Sequence, residues 1–295
     1  MNPVFKSAAM RSRPLFVLLF LLNAQALHSH ESAGHPTHGS AAAATIGTEL
    51  YLGKRGYLHS GVSIAAPVGR SVMMQIGAHV VREENGAREV PSFEAELIGH
   101  MAGDLELELY GFGYPEIEGR QAWGAGLRAS KRFSLSPDLE LTPFFGPTFA
   151  HVRAGDEVTG TIEPINHTLL LGGVTLKAGE LSVTLMGSHS IYDRDPAGLE
   201  TPVDLESMTH FAAYENNDGF ARNSLAVEAS WNAAQRVTFN VRYAAIWFDE
   251  ETRHAVTVAP SVQVVEHVEW TVGVQFLRGG NNANDLFFTG LSVAF

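Results

Sequence analysis

A chain of 295 residues without a single cysteine can build neither disulfides nor thiolate metal centres. Its 32 acidic against 20 basic side chains give a formal charge of −12, which argues against a nucleic-acid partner. Mean hydropathy is +0.01, without the charge-dense surface of a large soluble domain.

The first segment reads as a secretory export signal. Lys6, Arg11 and Arg13 lead into the apolar run LFVLLFLL, and Ala24 and Ala26 stand at the spacing that suits signal peptidase. The run is too short to span a bilayer; an uncleaved anchor is the competing reading. Residues 1–26 are thus expected to be a signal peptide, whose removal takes three bases and no acid. Residues 27–44, LHSHESAGHPTHGSAAAA, have the composition of a flexible periplasmic tether. Its His28, His30, His35 and His38 are spaced so that neutral imidazoles can chelate Zn²⁺, Cu²⁺ or Ni²⁺. The alternative is a polar linker whose histidines bind nothing specific, and no cofactor is required.

From Thr45 onward, runs of about ten residues alternate in polarity between turn signals, the pattern of strands with one apolar face. Strands are predicted near 45–53, 57–66, 71–82, 92–101, 104–113, 120–131 and 138–151, then near 165–177, 180–191, 219–231, 236–248, 254–265, 268–278 and 285–295. After residue 26 no apolar run approaches the length of a membrane helix. An exported, strand-patterned chain without helical spans has one membrane form, a closed barrel. The expected fold is therefore all-β: a transmembrane up-and-down antiparallel barrel of about fourteen strands over residues 45–295, with twelve or sixteen if the reading is off by two. Short connections such as PVGR, MAG and KAGE alternate mostly with longer, more acidic ones, as in barrels whose termini are both periplasmic.

The two faces of the strands separate cleanly. Leu105, Leu107 and Leu109 alternate with Asp104, Glu106 and Glu108, and Val237, Phe239, Val241 and Tyr243 with Arg236, Thr238, Asn240 and Arg242. The polar face is read as a wet lumen lined by Glu94, Glu96, Asp104, Glu106, Glu108, Glu140, Glu228 and Glu269, with Arg128, Arg236 and Arg242 as its bases; Glu49 shares that parity. Rings of such acids favour cations in a pore. With MAG as the turn, residue numbers pairing to 204 would set Glu96 against Glu108 and His100 against Asp104, a repulsion that water, a cation or an arginine must screen. Trp123, Trp231, Trp247 and Trp270 all take the apolar parity near strand ends, as an aromatic belt at the headgroup boundary would; four core tryptophans of a soluble protein is the other reading. The insertion Tyr192–Asp218 is the candidate constriction or lid, with a short helix expected after Thr201, Pro202 and Asp204; an ungating surface flap is as consistent.

The chain ends DLFFTGLSVAF, with Phe287, Leu291, Val293 and Phe295 on one parity and Thr289 interrupting them. This C-terminus resembles that of bacterial outer-membrane β-barrels, whose last strand ends in an aromatic, usually Phe, and is read by the barrel-assembly machinery. The resemblance covers the mature chain as an architecture and these few residues as a motif. It implies a porin-like protein of a Gram-negative-type outer membrane, exported by a Sec-type route and partnered by outer-membrane lipid, the assembly machinery and small solutes. Its size suits small monomeric barrels better than large trimeric porins. The expected function is passive diffusion of small hydrophilic or cationic solutes, with a metal link through the tether as a further step. A barrel enzyme of lipase, deacylase or protease type and a non-conducting structural or adhesive barrel are the alternatives. Against the first, His189 and Ser190 are adjacent and so face opposite ways in a strand, His210 has no recognisable partner spacing to Asp204 and Glu206, and no nucleophile elbow, P-loop or HExxH motif occurs.

Overall fold

The computed structural model describes residues 44–82, 89–117, 119–156, 160–196, 199–200, 220–249, 251–279 and 285–295. They form a closed antiparallel β-barrel of fourteen strands. In chain order these are β1 (Thr45–Leu52), β2 (Leu58–Pro67), β3 (Val72–Arg82), β4 (Glu89–Met101), β5 (Leu105–Ile117), β6 (Arg120–Lys131) and β7 (Leu139–Asp156). They continue as β8 (Ile162–Ala178), β9 (Leu181–Tyr192), β10 (Asn223–Ala234), β11 (Val237–Trp247), β12 (Thr252–Val265), β13 (Val268–Arg278) and β14 (Asp285–Ala294). A short strand, Phe133–Ser136, prolongs β6 along β7. Another, Leu199–Glu200, pairs with Gly155 and Asp156 at the far end of β7.

Each strand pairs with its successor, and β14 returns to β1, from Leu52 against Phe287 to Thr45 against Ala294. The Phe295 amide then donates to the Ala44 carbonyl at 2.8 Å. Closure is what lipid demands, because an unpaired backbone group in hydrocarbon costs several kcal/mol, on the order of a lost hydrogen bond with no water to replace it. Pairing lapses where the sequence removes a donor. Between β6 and β7 the register passes from Gly126–Thr148 to Ala129–Phe145, around Pro147, and between β12 and β13 from Val258–Val274 to Ser261–Thr271, around Pro260.

The alternation has the expected sense. Leu97, Leu109 and Leu127 lie in one cross-strand row on the outside, while Glu96, Glu108 and Arg128 point inward. Trp123, Trp231, Trp247 and Trp270 are all on the outer face. Trp123 and Trp247 lie toward the end that carries the long connections (the loop end), and Trp231 and Trp270 toward the end with tight turns (the turn end). Phe287, Leu291, Val293 and Phe295 face outward as well, and Thr289 among them accepts the indole N–H of Trp270 at 2.9 Å. A polar residue on the apolar side of the last strand is thus the acceptor for the neighbouring tryptophan.

Two expectations about this scaffold need correction. The register across the turn between β4 and β5 is not the predicted one: Met101 pairs with Leu105, Glu96 with Tyr110 and His100 with Glu106. Gly103 and Asp104 both take left-handed backbone, φ 77° and 58°, so Ala102, Gly103 and Asp104 close the turn in place of Met101, Ala102 and Gly103. The shift preserves parity, so every side chain keeps its face. Several strands also run further toward the loop end than expected. β4 and β8 begin before Pro91 and Pro164, which sit near their ends where a missing N–H is tolerated.

Leu109 is 55% exposed in the middle of the outward apolar row. Leu109→Arg should therefore weaken folding into phospholipid vesicles by about 2–4 kcal/mol, the range for a cation near the bilayer midplane, read from denaturant titrations of vesicle-inserted protein.

Candidate functional site

The inner wall is the place where polar chemistry concentrates, since the outer wall belongs to lipid. On β5 and β6, Glu108 is 1% exposed and stands directly opposite Arg128, with which it forms an ion pair. Glu96, one register step away, is 4% exposed. The Arg128 guanidinium also lies over the Phe144 ring, 5.9 Å from its centroid. The repulsion between neighbouring carboxylates is thus screened by an arginine rather than by bulk water. On the other side of the barrel the same device recurs: Arg242, buried on β11, faces Glu228 on β10, with Nε 3.2 Å from the carboxylate, and its Nη2 reaches Met186 Sδ at 3.5 Å.

Aromatic rings on this wall lie across glycines of the next strand. A Cβ on Gly126 would collide with the Tyr110 ring, and one on Gly124 with the Phe112 ring. Tyr110 hydrogen-bonds Thr148 across β6. Side chains therefore lie along the wall instead of standing out from it.

A third polar group occupies β1 to β4. Glu49, His59 and His79 approach one another closely, with His79 Nδ1 2.9 Å and His59 Nε2 3.2 Å from Glu49 Oε1. The two imidazole nitrogens are 3.3 Å apart, and His79 Nε2 faces Glu94 Oε1 at 3.5 Å. The sequence reading placed Glu49 and Glu94 on the inner wall but did not pick out the two histidines. Their signal is inward parity on successive hairpin strands, and only the register brings the four side chains together.

Toward the loop end the inner wall changes character. Tyr51, Tyr57, Val81, Val90, Phe112 and Tyr114 belong to one buried apolar cluster that also includes Leu199 and Phe220. The polar parity was read as a wet lumen; toward the loop end the same parity carries packed aromatic and aliphatic side chains. The described flanks of the Tyr192–Asp218 insertion fold against that cluster. Phe220 meets Tyr192 edge-on at 5.5 Å. Arg222 grips Asp249 through Nε and Nη2 at 2.8 and 2.9 Å, and Nη2 also reaches Asp195 at 3.1 Å. Asp193 accepts both the backbone and the side-chain N–H groups of Asn166, at 3.0 and 2.6 Å. The roots of the insertion are therefore pinned at the mouth, and the pairing of Leu199–Glu200 with β7 carries the chain from β9 past β8. The helix expected from Thr201, Pro202 and Asp204 lies outside the described residues, as do the tether histidines His28, His30, His35 and His38 and the segment 1–43.

Of the remaining predicted lining residues, Glu94, Glu106, Glu140, Glu228 and Glu269 share the inward face of their strands, with Glu140 opposite Lys177 near the turn end and Glu269 opposite Gln263. Two do not belong there. Asp104 sits in the turn and binds Arg132 at 2.8 Å, and His100 binds Glu106 at 3.1 Å in its place. Arg236 is exposed in the turn before β11, whose first residue is Val237. His189 and Ser190 face opposite sides of β9: Ser190 is buried inward, and His189 meets Asn223 at 2.8 Å outside.

No family model and no curated protein matches the sequence. Solved structures do resemble it. A BenF-like porin from Pseudomonas fluorescens Pf-5 aligns at TM-score 0.49 with 10% identity, over 86% of this chain and 98% of that one. OprD from Pseudomonas aeruginosa aligns at TM-score 0.45 with 11% identity, over 86% and 94%. An anion-selective porin from Comamonas acidovorans aligns at TM-score 0.43 with 10% identity, over 85% and 98%. At this level of likeness nothing about their solutes transfers to this chain.

Removing Arg128 alone leaves the Glu108 charge buried without its counter-ion. Arg128→Met should destabilise the barrel by about 3–5 kcal/mol in denaturant titrations, and the double variant Glu108→Gln/Arg128→Met should recover most of that loss.

Proposed function

Taking the chain as the porin-like outer-membrane barrel that its closed sheet and apolar outer belt make it, we propose that it is a passive channel for small hydrophilic solutes with a preference for cations. The observation that supports this is the inner wall from its middle to the turn end, where Glu49, Glu94, Glu96, Glu106, Glu108, Glu228 and Glu269 face inward from several strands, while Arg128 and Arg242 each stand against one of those carboxylates. A surplus of inward carboxylates attracts cations and repels anions. The narrow part is the loop end, where Tyr51, Phe112, Tyr114, Leu199 and Phe220 crowd together and the Asp195–Arg222–Asp249 contacts hold the insertion. No chemical step is implied.

That same apolar crowding favours a second reading, a barrel closed at its loop end with a structural role. Planar-bilayer recording separates the two. The channel reading expects discrete conductance steps and a cation-selective reversal potential in a salt gradient; folded protein that carries no current supports the closed barrel. Glu94→Gln, Glu96→Gln and Glu269→Gln together should move the reversal potential toward zero, because none of the three stands directly opposite an arginine. An unchanged potential would remove the acidic filter.

The histidines of residues 27–44 extend the proposal to metal. A tether that gathers Zn²⁺, Cu²⁺ or Ni²⁺ beside the turn end, where it joins Thr45, would raise the local concentration of a cationic solute there. Calorimetric titration of a peptide covering residues 27–44 should then give saturable heats with at least one of these ions, and heats equal to dilution would end the metal link.

A further inference from the structure

We propose that Glu49, His59 and His79 form a binding site for one divalent transition-metal ion on the inner wall of the barrel. The three side chains come from β1, β2 and β3, and their ligand atoms all lie within 4.8 Å of one another. Glu49 Oε1, His59 Nε2 and His79 Nδ1 make a triangle with edges of 2.9, 3.2 and 3.3 Å. Ligands about 2.0–2.1 Å from one ion, at octahedral to tetrahedral angles, stand about 2.9–3.4 Å apart. The triangle already has those dimensions. Two imidazoles and one carboxylate are a donor set for Zn²⁺, Co²⁺, Ni²⁺ or Fe²⁺, with the remaining positions open to water or a passing ligand.

The backbone makes room for this convergence. Gly61 stands directly between Glu49 and His79 in the strand register, and a Cβ there would collide with His79 Nδ1 and come within 2.9 Å of Glu49 Oε1. Gly77 does the same one strand on, where a Cβ would come within 2.6 Å of Glu94 Oε1 and 2.9 Å of His79 Nε2. Neither glycine has positive φ, so close approach rather than backbone strain requires them. The rings are also held in orientation. Tyr51 stacks on His59 with centroids 5.3 Å apart, and Glu94 faces the second nitrogen of His79 at 3.5 Å. A carboxylate behind a ligating imidazole fixes its tautomer and raises its basicity as a ligand.

Protons alone satisfy this arrangement less well. If both imidazoles donate to Glu49 Oε1, their two N–H groups face each other at 3.3 Å, whereas a cation accepts all three lone pairs at once. The side chains retain some accessible surface, 10% for His59, 14% for His79 and 8% for Glu49, so the site is not sealed. The assignment is independent of the channel reading, since a barrel that carries no current can still hold the ion.

The test is Co²⁺ titration of the full chain, folded in detergent micelles, with His28, His30, His35 and His38 replaced by alanine so that the tether is silent. One equivalent should bind and develop visible d–d absorption. His59→Gln and His79→Gln should each abolish that spectrum, Glu94→Gln should weaken binding about 10–100-fold, and His100→Ala, which removes another imidazole–carboxylate pair of the same wall, should leave it unchanged. Folding of each variant is read separately from its β-sheet circular dichroism. A folded tether-silent chain that binds no Co²⁺, or folded His59 and His79 variants that bind as the parent does, overturns the site.

Discussion

Backbone hydrogen bonding in hydrocarbon is the constraint on which this molecule rests. Lipid supplies no partner for an N–H or C=O, so the sheet has to close, and the β14–β1 ladder closes it. Closure fixes the side-chain geometry in turn. With a period of two, half of each strand is committed to lipid, and every charge in the spanning region is driven to the other half. Glu49, His79, Glu96, Glu108, Arg128, Glu228 and Arg242 share the interior for that reason. Function, if it depends on polar groups inside the membrane, has nowhere else to reside.

A confined interior then imposes its own conditions. Charges this buried are tolerated when each has a counter-charge or hydrogen-bond partner, and the wall supplies them across neighbouring strands: Glu108 with Arg128, Glu228 with Arg242, Glu49 with two histidines. Bulky rings are accommodated by glycines beneath them. Further toward the loop end the wall is no longer polar, and Leu199 from the insertion and Phe220 from its flank join Tyr51 and Tyr114 in an apolar cluster. The interior is thus divided along its axis, ionic in the middle and greasy at one mouth. The interior therefore presents different chemistry at each level, charged side chains at one and packed rings at the other.

Much of this was legible in the sequence because alternation is a strong, local signal. Leu105, Leu107 and Leu109 against Glu106 and Glu108 announce both the strand and its two environments, and the parity of the four tryptophans follows the same rule. What stayed hidden depends on register. The sequence MAGD offers the turn at Met101–Gly103 or at Ala102–Asp104, and two consecutive left-handed residues, Gly103 and Asp104, decide for the second. That choice determines that Glu96 stands beside Tyr110 and that His100 meets Glu106 instead of Asp104. Parity alone assigned Asp104 and Arg236 to the lumen, yet each falls in a turn, where inward and outward lose their meaning. His59 and His79 lie on separate strands, so no spacing along the chain marks them as partners of Glu49. The apolar lining of the loop end was hidden for another reason: Tyr51, Phe112 and Tyr114 alternate correctly, but parity assigns a face and does not show whether neighbouring rings pack it dry.

The rings resting on glycine carry a consequence for how such a barrel can change. Tyr110 over Gly126, Phe112 over Gly124, Phe144 over Gly173 and Phe288 over Gly273 make each aromatic a removable tile on a fixed frame. Trimming a tile to a small residue would cut a groove one ring deep without disturbing the ladder beneath it. Enlarging the glycine would push the tile into the central space or break the sheet. The calibre of the barrel can therefore drift over generations by paring its rings, and its strand number need not alter.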